Sequence, residues 1–286
     1  MITGTTKLLG VIGDPVEHSL SPIMHNAAIA HLQANYIYLP LPVKAADLAV
    51  AIAGFEAIGL QGFNITIPHK QAIIPLLAEV SPLAQAIGAV NTVQRTPQGW
   101  SGTNTDVAGF LSPLQGIDRD WSQTTAVILG NGGAARAVVA GCSELGCGSI
   151  QVVGRTPQKL EQFHQSWGHS AFSLNLSIHN WQELPQLLPQ TELLVNTTPV
   201  GMHPHINDSP LSLAWLERVP TGAIAYDLIY TPNPTQFLQQ AAAQGLTAID
   251  GLEMLVQQGA AALQIWLEQP APVDVMRCAL KQKLGL

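Results

Sequence analysis

Charge is scarce in this chain. Only 11% of its 286 residues are Asp, Glu, Lys or Arg, against 47% hydrophobic, which excludes a disordered chain and predicts a well-buried globule. Its 12 Lys and Arg are outnumbered by 19 acids, giving a net charge of −7. The basic footprint of a nucleic-acid binder is therefore missing, and no nucleic-acid partner is expected. Cysteine is almost absent: Cys142, Cys147 and Cys278 have no metal-ligand spacing, so no metal is expected, and an odd few in this length points to a reducing compartment. No apolar run approaches the ~18 residues of a membrane span; the run over 134–140 is cut by Arg136. The opening MITGTTKLLG has no signal-peptide core. A soluble cytoplasmic protein with no membrane partner is expected. Internal repeats, low-complexity tracts and heptads are missing as well.

What is present is a strand, a glycine-rich turn and a helix within 124–146. Residues 126–129 read as a buried parallel strand, followed by Gly130-Asn131-Gly132-Gly133 and an alanine-rich helical run. That is the context a dinucleotide fingerprint needs. Gly130 turns the chain off the strand, Gly132 leaves room for a pyrophosphate, and Ala135 takes the third small position. The helix start offers free N–H groups and its positive dipole end. A ligand-free turn would carry the same glycines, but the next strand, 149–153, adds weight. It comes about 20 residues on, where an NAD site places a carboxylate; here Gly154-Arg155-Thr156 and Lys159 follow instead. A guanidinium and a hydroxyl suit a 2′-phosphate, so NADP is read over NAD. The plain alternative for Arg155 is a solvated loop cation.

The front half alternates strand and helix: strand 7–12, helix 23–32, strand 36–41, and helix 44–58 with Leu48, Ile52 and Phe55 on one face. This predicts a parallel or largely parallel sheet. Ser21 reads as N-cap with Pro22 at the first helical position. Ser19 and Ser21 either serve only that cap or offer hydroxyls to a carboxylate; both readings stand. Residues 62–70, GFNITIPHK, carry the chemistry. Alternation predicts Phe63, Ile65 and Ile67 on one face, with Asn64 and Thr66 on the other as a cleft wall. Pro68 ends the strand and Lys70 stands at its exit, beside a helix predicted from Gln71. Lys70 is a usable proton donor and acceptor there, or a surface lysine. Asn91, in a predicted strand over 89–95, asks for a partner. Asp106 opens a helix to Leu111, as a plain first-turn carboxylate or as the acid/base partner of Lys70; spacing alone does not pair them.

The polar stretch 116–125 reads as a surface connection. Beyond it come helix 159–167, strand 171–176, helix 181–188 and strand 192–196, which runs into the hydroxyl-rich turn at Thr197 and Thr198. Strand 223–228 has Tyr230 at its exit. Helix 234–244, strand 246–249 and helices 250–267 and 272–284 complete the chain, the last two crossing back over the first domain. The domains expected are 1–116 for substrate, 117–250 for nucleotide and 251–286 for the returning helices.

The motifs SLSP, GFNITIPHK, GAVNTV, GTNTD, GNGGAARAV, GRT, NTTPVGM, YDLIY and DGLEMLVQQ, in this order and in both halves, resemble the shikimate dehydrogenase family over nearly the whole chain. The resemblance implies an α/β fold of two domains, an N-terminal α/β substrate domain and a C-terminal Rossmann-type NADP-binding domain, with the active site in the cleft between them. It implies an NADP-dependent enzyme of aromatic amino-acid biosynthesis that reversibly reduces 3-dehydroshikimate to shikimate, as a monomer or homodimer. By position, Ser19 and Ser21 would hold the substrate carboxylate. Thr66, Asn91, Asp106 and Gln258 would bind its ring hydroxyls, with Asn64 on the same wall and Tyr230 near. Lys70 would be the acid/base, paired with Asp106. Gly130, Asn131, Gly132, Gly133 and Ala134 would take the pyrophosphate, and Gly154, Arg155, Thr156 and Lys159 the 2′-phosphate. Leu228, Gly251 and Met254 would line the nicotinamide end, with Thr197 and Thr198 nearby. His18, His25 and His69 receive no role. The rival readings are a quinate/shikimate dehydrogenase with relaxed substrate or cofactor use, and a non-catalytic NADP-binding regulatory module.

Overall fold

The computed structural model describes residues 2–168, 172 and 174–286. The chain divides into two compact units, Met1–Gly109 with Leu255–Leu286, and Phe110–Met254. Among the described residues no helix is long and apolar enough to cross a membrane, and no cluster of His, Cys, Asp and Glu could hold a metal ion.

In the first unit the strands are β1 Lys7–Gly13, β2 Tyr36–Pro42, β3 Gly62–Ile65, β4 Glu79–Val80, β5 Thr92–Thr96 and β6 Gly99–Thr103, in the order β2-β1-β3-β5-β6-β4. Helices α1 Ser21–His31, α2 Leu48–Ala57 and α3 Pro82–Ile87 accompany them, and α4 Asp106–Leu111 starts beyond β6. The apolar sides of β1, β3 and β5 meet Leu48, Ile52 and Phe55 of α2 in one core. There the Phe63 ring packs tilted on Phe55 and edge-on to Trp100, at 5.5 and 5.2 Å between centroids.

Several expectations for this unit are corrected. The sheet is mixed: β2-β1-β3 is parallel, but β5 pairs antiparallel with both β3 and β6. Only Pro97 and Gln98 separate β5 from β6, far too few for a parallel crossover. Strand β3 ends at Ile65, so the alternation stops short and Ile67 is exposed. The helix expected from Gln71 is replaced by turns and a 3-10 turn at Ile74–Leu76, since Pro68 and Pro75 leave too short a run between them. Asn91 precedes β5 rather than lying within it. Ser21 is not a cap: Leu20 already has helical φ and ψ, and no side chain caps this end.

The second unit carries β7 Thr125–Leu129, β8 Ser149–Gly154, β9 Leu176–Asn180, β10 Leu193–Asn196, β11 Ile224–Asp227 and β12 Thr247–Ile249. Its helices are α5 Gly133–Leu145, α6 Pro157–Gln165, α7 Leu184–Leu187, α8 Leu213–Leu216 and α9 Gln236–Ala243. All strand pairs are parallel, in the order β12-β11-β10-β7-β8-β9. This is the doubly wound Rossmann-type order, whose direction reverses between β7 and β10. The strand expected over 171–176 includes Ala171 and Ser173, which lie outside the described residues; the described strand is β9. The helix expected over 181–188 is instead three short segments, because Pro185 and Pro189 lack the N–H a continuing helix needs.

The last helices are α10 Leu252–Leu267 and α11 Val273–Leu284. Within the first unit, α11 packs on α1, and the Trp266 indole of α10 donates to the Val93 carbonyl of β5 at 2.9 Å. A side chain at Gly62 would collide with that indole.

Candidate active site

In the first unit, Lys70 and Asp106 lie 36 residues apart in sequence but meet at 2.5 Å between Nζ and Oδ2. Both ends are held by backbone. The Lys70 carbonyl accepts from Val90 N–H at 2.8 Å, and Asp106 N–H donates to Asn104 Oδ1 at 2.9 Å. Asn91 Nδ2 donates to the other Asp106 oxygen at 2.8 Å. Its own Oδ1 accepts from Thr105 N–H at 2.7 Å, which fixes the amide's orientation. Gln258, on α10, places Oε1 3.4 Å from the same Asn91 Nδ2. The side chains of Lys70 and Asp106 are 16% and 7% exposed, so the pair is shielded yet reachable.

Beside this pair stands a polar wall. Asn64 is buried on β3, opposite Thr92 of β5. Its Oδ1 accepts from the Tyr38 hydroxyl at 2.7 Å, and its Nδ2 donates to Thr92 Oγ1 at 3.1 Å. Burial pushes the Tyr38 phenol well above its ordinary range, a rise that the Ser21 hydroxyl offsets only in part. Ser21 N–H donates to Ser19 Oγ at 3.3 Å. Thr66 follows β3, half-buried, with its carbonyl accepting from His69 N–H at 3.0 Å. Tyr230 belongs to the second unit, beyond the end of β11.

Sequence reasoning missed Tyr38, Thr92 and Thr105. Each is a buried polar residue that requires a partner, but their partners come from other strands and follow only from register. Of the histidines, His25 is buried without a hydrogen bond, stacked on Tyr38 at 4.2 Å, and burial lowers its pKa to about 3. It is therefore a neutral packing ring. His69 Nε2 lies 2.6 Å from the Val43 carbonyl.

In the second unit the glycine turn sits where the strand order reverses. Gly130 has φ +105°, and a Cβ there would lie 2.7 Å from Thr197 Oγ1. Thr197 follows β10 and donates to the Leu129 carbonyl at 2.7 Å, so the ends of β7 and β10 are locked together. Gly132 precedes α5 with no side-chain cap, and a Cβ on it would meet nothing within 4 Å. The helix N–H groups therefore open onto free space beside Asn131, Gly133 and Ala134, a cradle that fits a pyrophosphate. Gly154 packs near Asn131, and Arg155, Thr156 and Lys159 are exposed beyond it with no carboxylate among them. That donor set fits a 2′-phosphate.

Thr198 donates its hydroxyl to Asn196 Oδ1 at 2.7 Å, and Asn196 Nδ2 donates to Asp227 at 3.0 Å. Gly251 N–H donates to the Ile229 carbonyl at 3.2 Å; a side chain on it would strike the Leu228 carbonyl. Leu228 is half-buried and Met254 is buried. Asp227, also overlooked in the sequence, is fully buried, and burial raises its pKa to about 6.

A shielded ammonium–carboxylate pair on one unit, with an open helix start and flanking cations on the other, are the parts of a nicotinamide-dependent oxidoreductase. Residues 11–93 match the model of the shikimate dehydrogenase substrate binding domain, and 251–281 that of the shikimate 5′-dehydrogenase C-terminal domain. The NADP(+) shikimate dehydrogenase of Trichormus variabilis is 65% identical over 288 residues, spanning 100% of both chains. That of Gloeothece citriformis is 62% identical, spanning 100% of this chain and 99% of its own. The Thermus thermophilus shikimate 5-dehydrogenase, solved in complex with NADP(H) and shikimate, superposes with a TM-score of 0.83 at 35% identity, over 96% of this chain and 99% of its own. The chain belongs to the shikimate dehydrogenase family.

Proposed function

We propose that this chain reversibly reduces 3-dehydroshikimate to shikimate with NADPH, Lys70 acting as acid/base alongside Asp106. The observation that carries this reading is the 2.5 Å contact between the two, with Asn91 fixed on the second carboxylate oxygen. The reduced nicotinamide supplies the hydride for the ring ketone. The oxygen gaining negative charge needs a proton, and the Lys70 ammonium both stabilises that charge and delivers the proton; in reverse the amine accepts it. Asp106, oriented by Asn91, holds the ammonium and takes a ring hydroxyl. Ser19 and Ser21 bind the substrate carboxylate. Asn64, Thr66, Asn91 and Gln258 serve the ring, with Tyr230 near it.

For the cofactor, Gly130 to Ala134 take the pyrophosphate, and Gly154, Arg155, Thr156 and Lys159 the 2′-phosphate. Thr197, Thr198, Leu228, Gly251 and Met254 line the nicotinamide end. We infer that the enzyme works in the cytoplasm, in aromatic amino-acid biosynthesis, as a monomer or homodimer.

The test is absorbance at the reduced-nicotinamide band. Shikimate with NADP+ is expected to raise it, and quinate with NAD+ to do so more slowly. Folded protein that binds NADP+ yet gives no signal would mark a regulatory module instead. Arg155→Ala is expected to raise KM for NADP+ about tenfold, the scale of one charged hydrogen bond, and to leave KM for NAD+ unchanged. Equal effects on both cofactors would remove Arg155 from the phosphate site.

A further inference from the structure

We propose that Thr92 is a positioning residue for the acid/base pair, its hydroxyl linking the Asn64 wall to the Asn91–Asp106–Lys70 relay. The proposal rests on the reading of Lys70 and Asp106 given above. Thr92 opens β5, is 1% exposed, and lies directly across from Asn64 of β3. A threonine hydroxyl has one proton to give and can accept as well. Here its acceptor side takes Asn64 Nδ2 at 3.1 Å, because the Asn64 oxygen is already committed to the Tyr38 hydroxyl. Its own proton goes to Asn91 Oδ1 at 3.0 Å. Thr105 Oγ1 lies 3.2 Å from both Thr92 Oγ1 and Asn91 Oδ1.

The consequence falls on Asn91. Its Oδ1 receives the Thr92 hydroxyl and the Thr105 N–H, so a flipped amide would set donor against donor. Nδ2 is therefore directed at Asp106 Oδ1, at 2.8 Å, which leaves Oδ2 to face Lys70. With the hydroxyl removed, Asn64 keeps its 3.2 Å bond to the Asn91 carbonyl and Asn91 keeps the Thr105 N–H, so the fold retains its local support. What is lost is one of the three donors to Asn91 Oδ1, the Thr105 N–H at 2.7 Å and the Thr105 hydroxyl at 3.2 Å remaining.

Thr92→Val removes the hydroxyl and Thr92→Ser keeps it. Thr92→Val is expected to lower kcat for shikimate oxidation about tenfold, the effect of one lost buried hydrogen bond on the transition state. KM for NADP+ should not move, and Thr92→Ser should recover kcat to within about twofold. A Thr92→Val enzyme near wild-type kcat, or a Thr92→Ser enzyme as slow as Thr92→Val, would overturn the proposal. Should the valine variant fail to fold, Thr92→Ala takes its place: it also lacks the hydroxyl, and a kcat near that of Thr92→Ser would overturn the proposal. A readout independent of turnover is the Asn91 side-chain amide followed by NMR. Its slow proton exchange should be lost in Thr92→Val and kept in Thr92→Ser, and an unchanged amide would sink the proposal. An inactive wild-type protein refutes the acid/base reading, whereas unaffected variants of an active one refute only the role of Thr92.

Discussion

Lys70→Ala is expected to cut kcat for shikimate oxidation by a factor of about 100 or more, the usual loss on removing a positioned acid/base group. KM for shikimate should stay close to the wild-type value. The asymmetry follows from how the pair is held. Asp106 would lose its ammonium partner at Oδ2 but keep Asn91 on Oδ1, and its backbone N–H would stay on Asn104. The wall of Asn64, Thr92 and Tyr38 makes no bond to Lys70 and would remain assembled. Ground-state binding thus survives while the proton source is gone. Lys70→Arg should not restore the rate, because a guanidinium keeps the charge but does not give up its proton near neutral pH. Steady-state kinetics of both variants check this. An alanine variant within a few-fold of wild type would take Lys70 out of the mechanism.

The nucleotide half of this design was more legible in the sequence than the substrate half. The turn at Gly130 and Gly132 is a local device: strand, turn and helix are contiguous, so 23 residues over 124–146 state it in full. The cations after β8 are just as local. In the substrate half, Lys70, Asn91 and Asp106 are each visible as residues, but their association depends on β5 running antiparallel between β3 and β6. Strand–helix alternation favoured a parallel sheet, and the two-residue connection at Pro97 and Gln98 overrode it. Ser21 shows another limit. Ser before Pro carries a helix-start signal, yet the chain enters helical geometry one residue sooner, and no side chain caps this end. Periodicity placed Ile67 on one face with Phe63 and Ile65, whereas β3 stops at Ile65 and leaves it exposed. Tyr38, Thr92 and Thr105 could be recognised only as buried polar groups in search of partners, and those partners lie on other strands. Local chemistry is legible when its parts are neighbours in the chain; when sheet register assembles it, the residues can be named but not paired.

Asp227 leads to a pH dependence of stability. It ends β11 with its side chain fully buried, accepting from Thr235 Oγ1 at 2.7 Å, Asn196 Nδ2 at 3.0 Å and Ile229 N–H at 3.1 Å. Burial raises its pKa from 3.8 to about 6, the nearby Asp250 carboxylate adds to the rise, and the three hydrogen bonds oppose it. The folded chain therefore binds this proton more tightly than the unfolded chain does. The resulting stability is fully present below pH 3.8, falls as pH rises, and is gone above about 6. At about 1.4 kcal/mol per pH unit, the interval is worth about 3 kcal/mol, a large share of a typical domain's stability. Asp227→Asn cannot titrate, so the wild-type protein should lose about 2.4 kcal/mol relative to this variant between pH 4 and pH 7. Urea unfolding of both proteins across that range measures the difference, and parallel curves would show that Asp227 titrates as an ordinary carboxylate. The carboxylate is kept at neutral pH because of what it ties together. Through Asn196 it holds the turn at Thr198, and through Ile229 and Thr235 it holds the chain that follows β11. These are the segments proposed to receive the nicotinamide end, so the variant should also raise KM for NADP+ while leaving KM for shikimate unchanged.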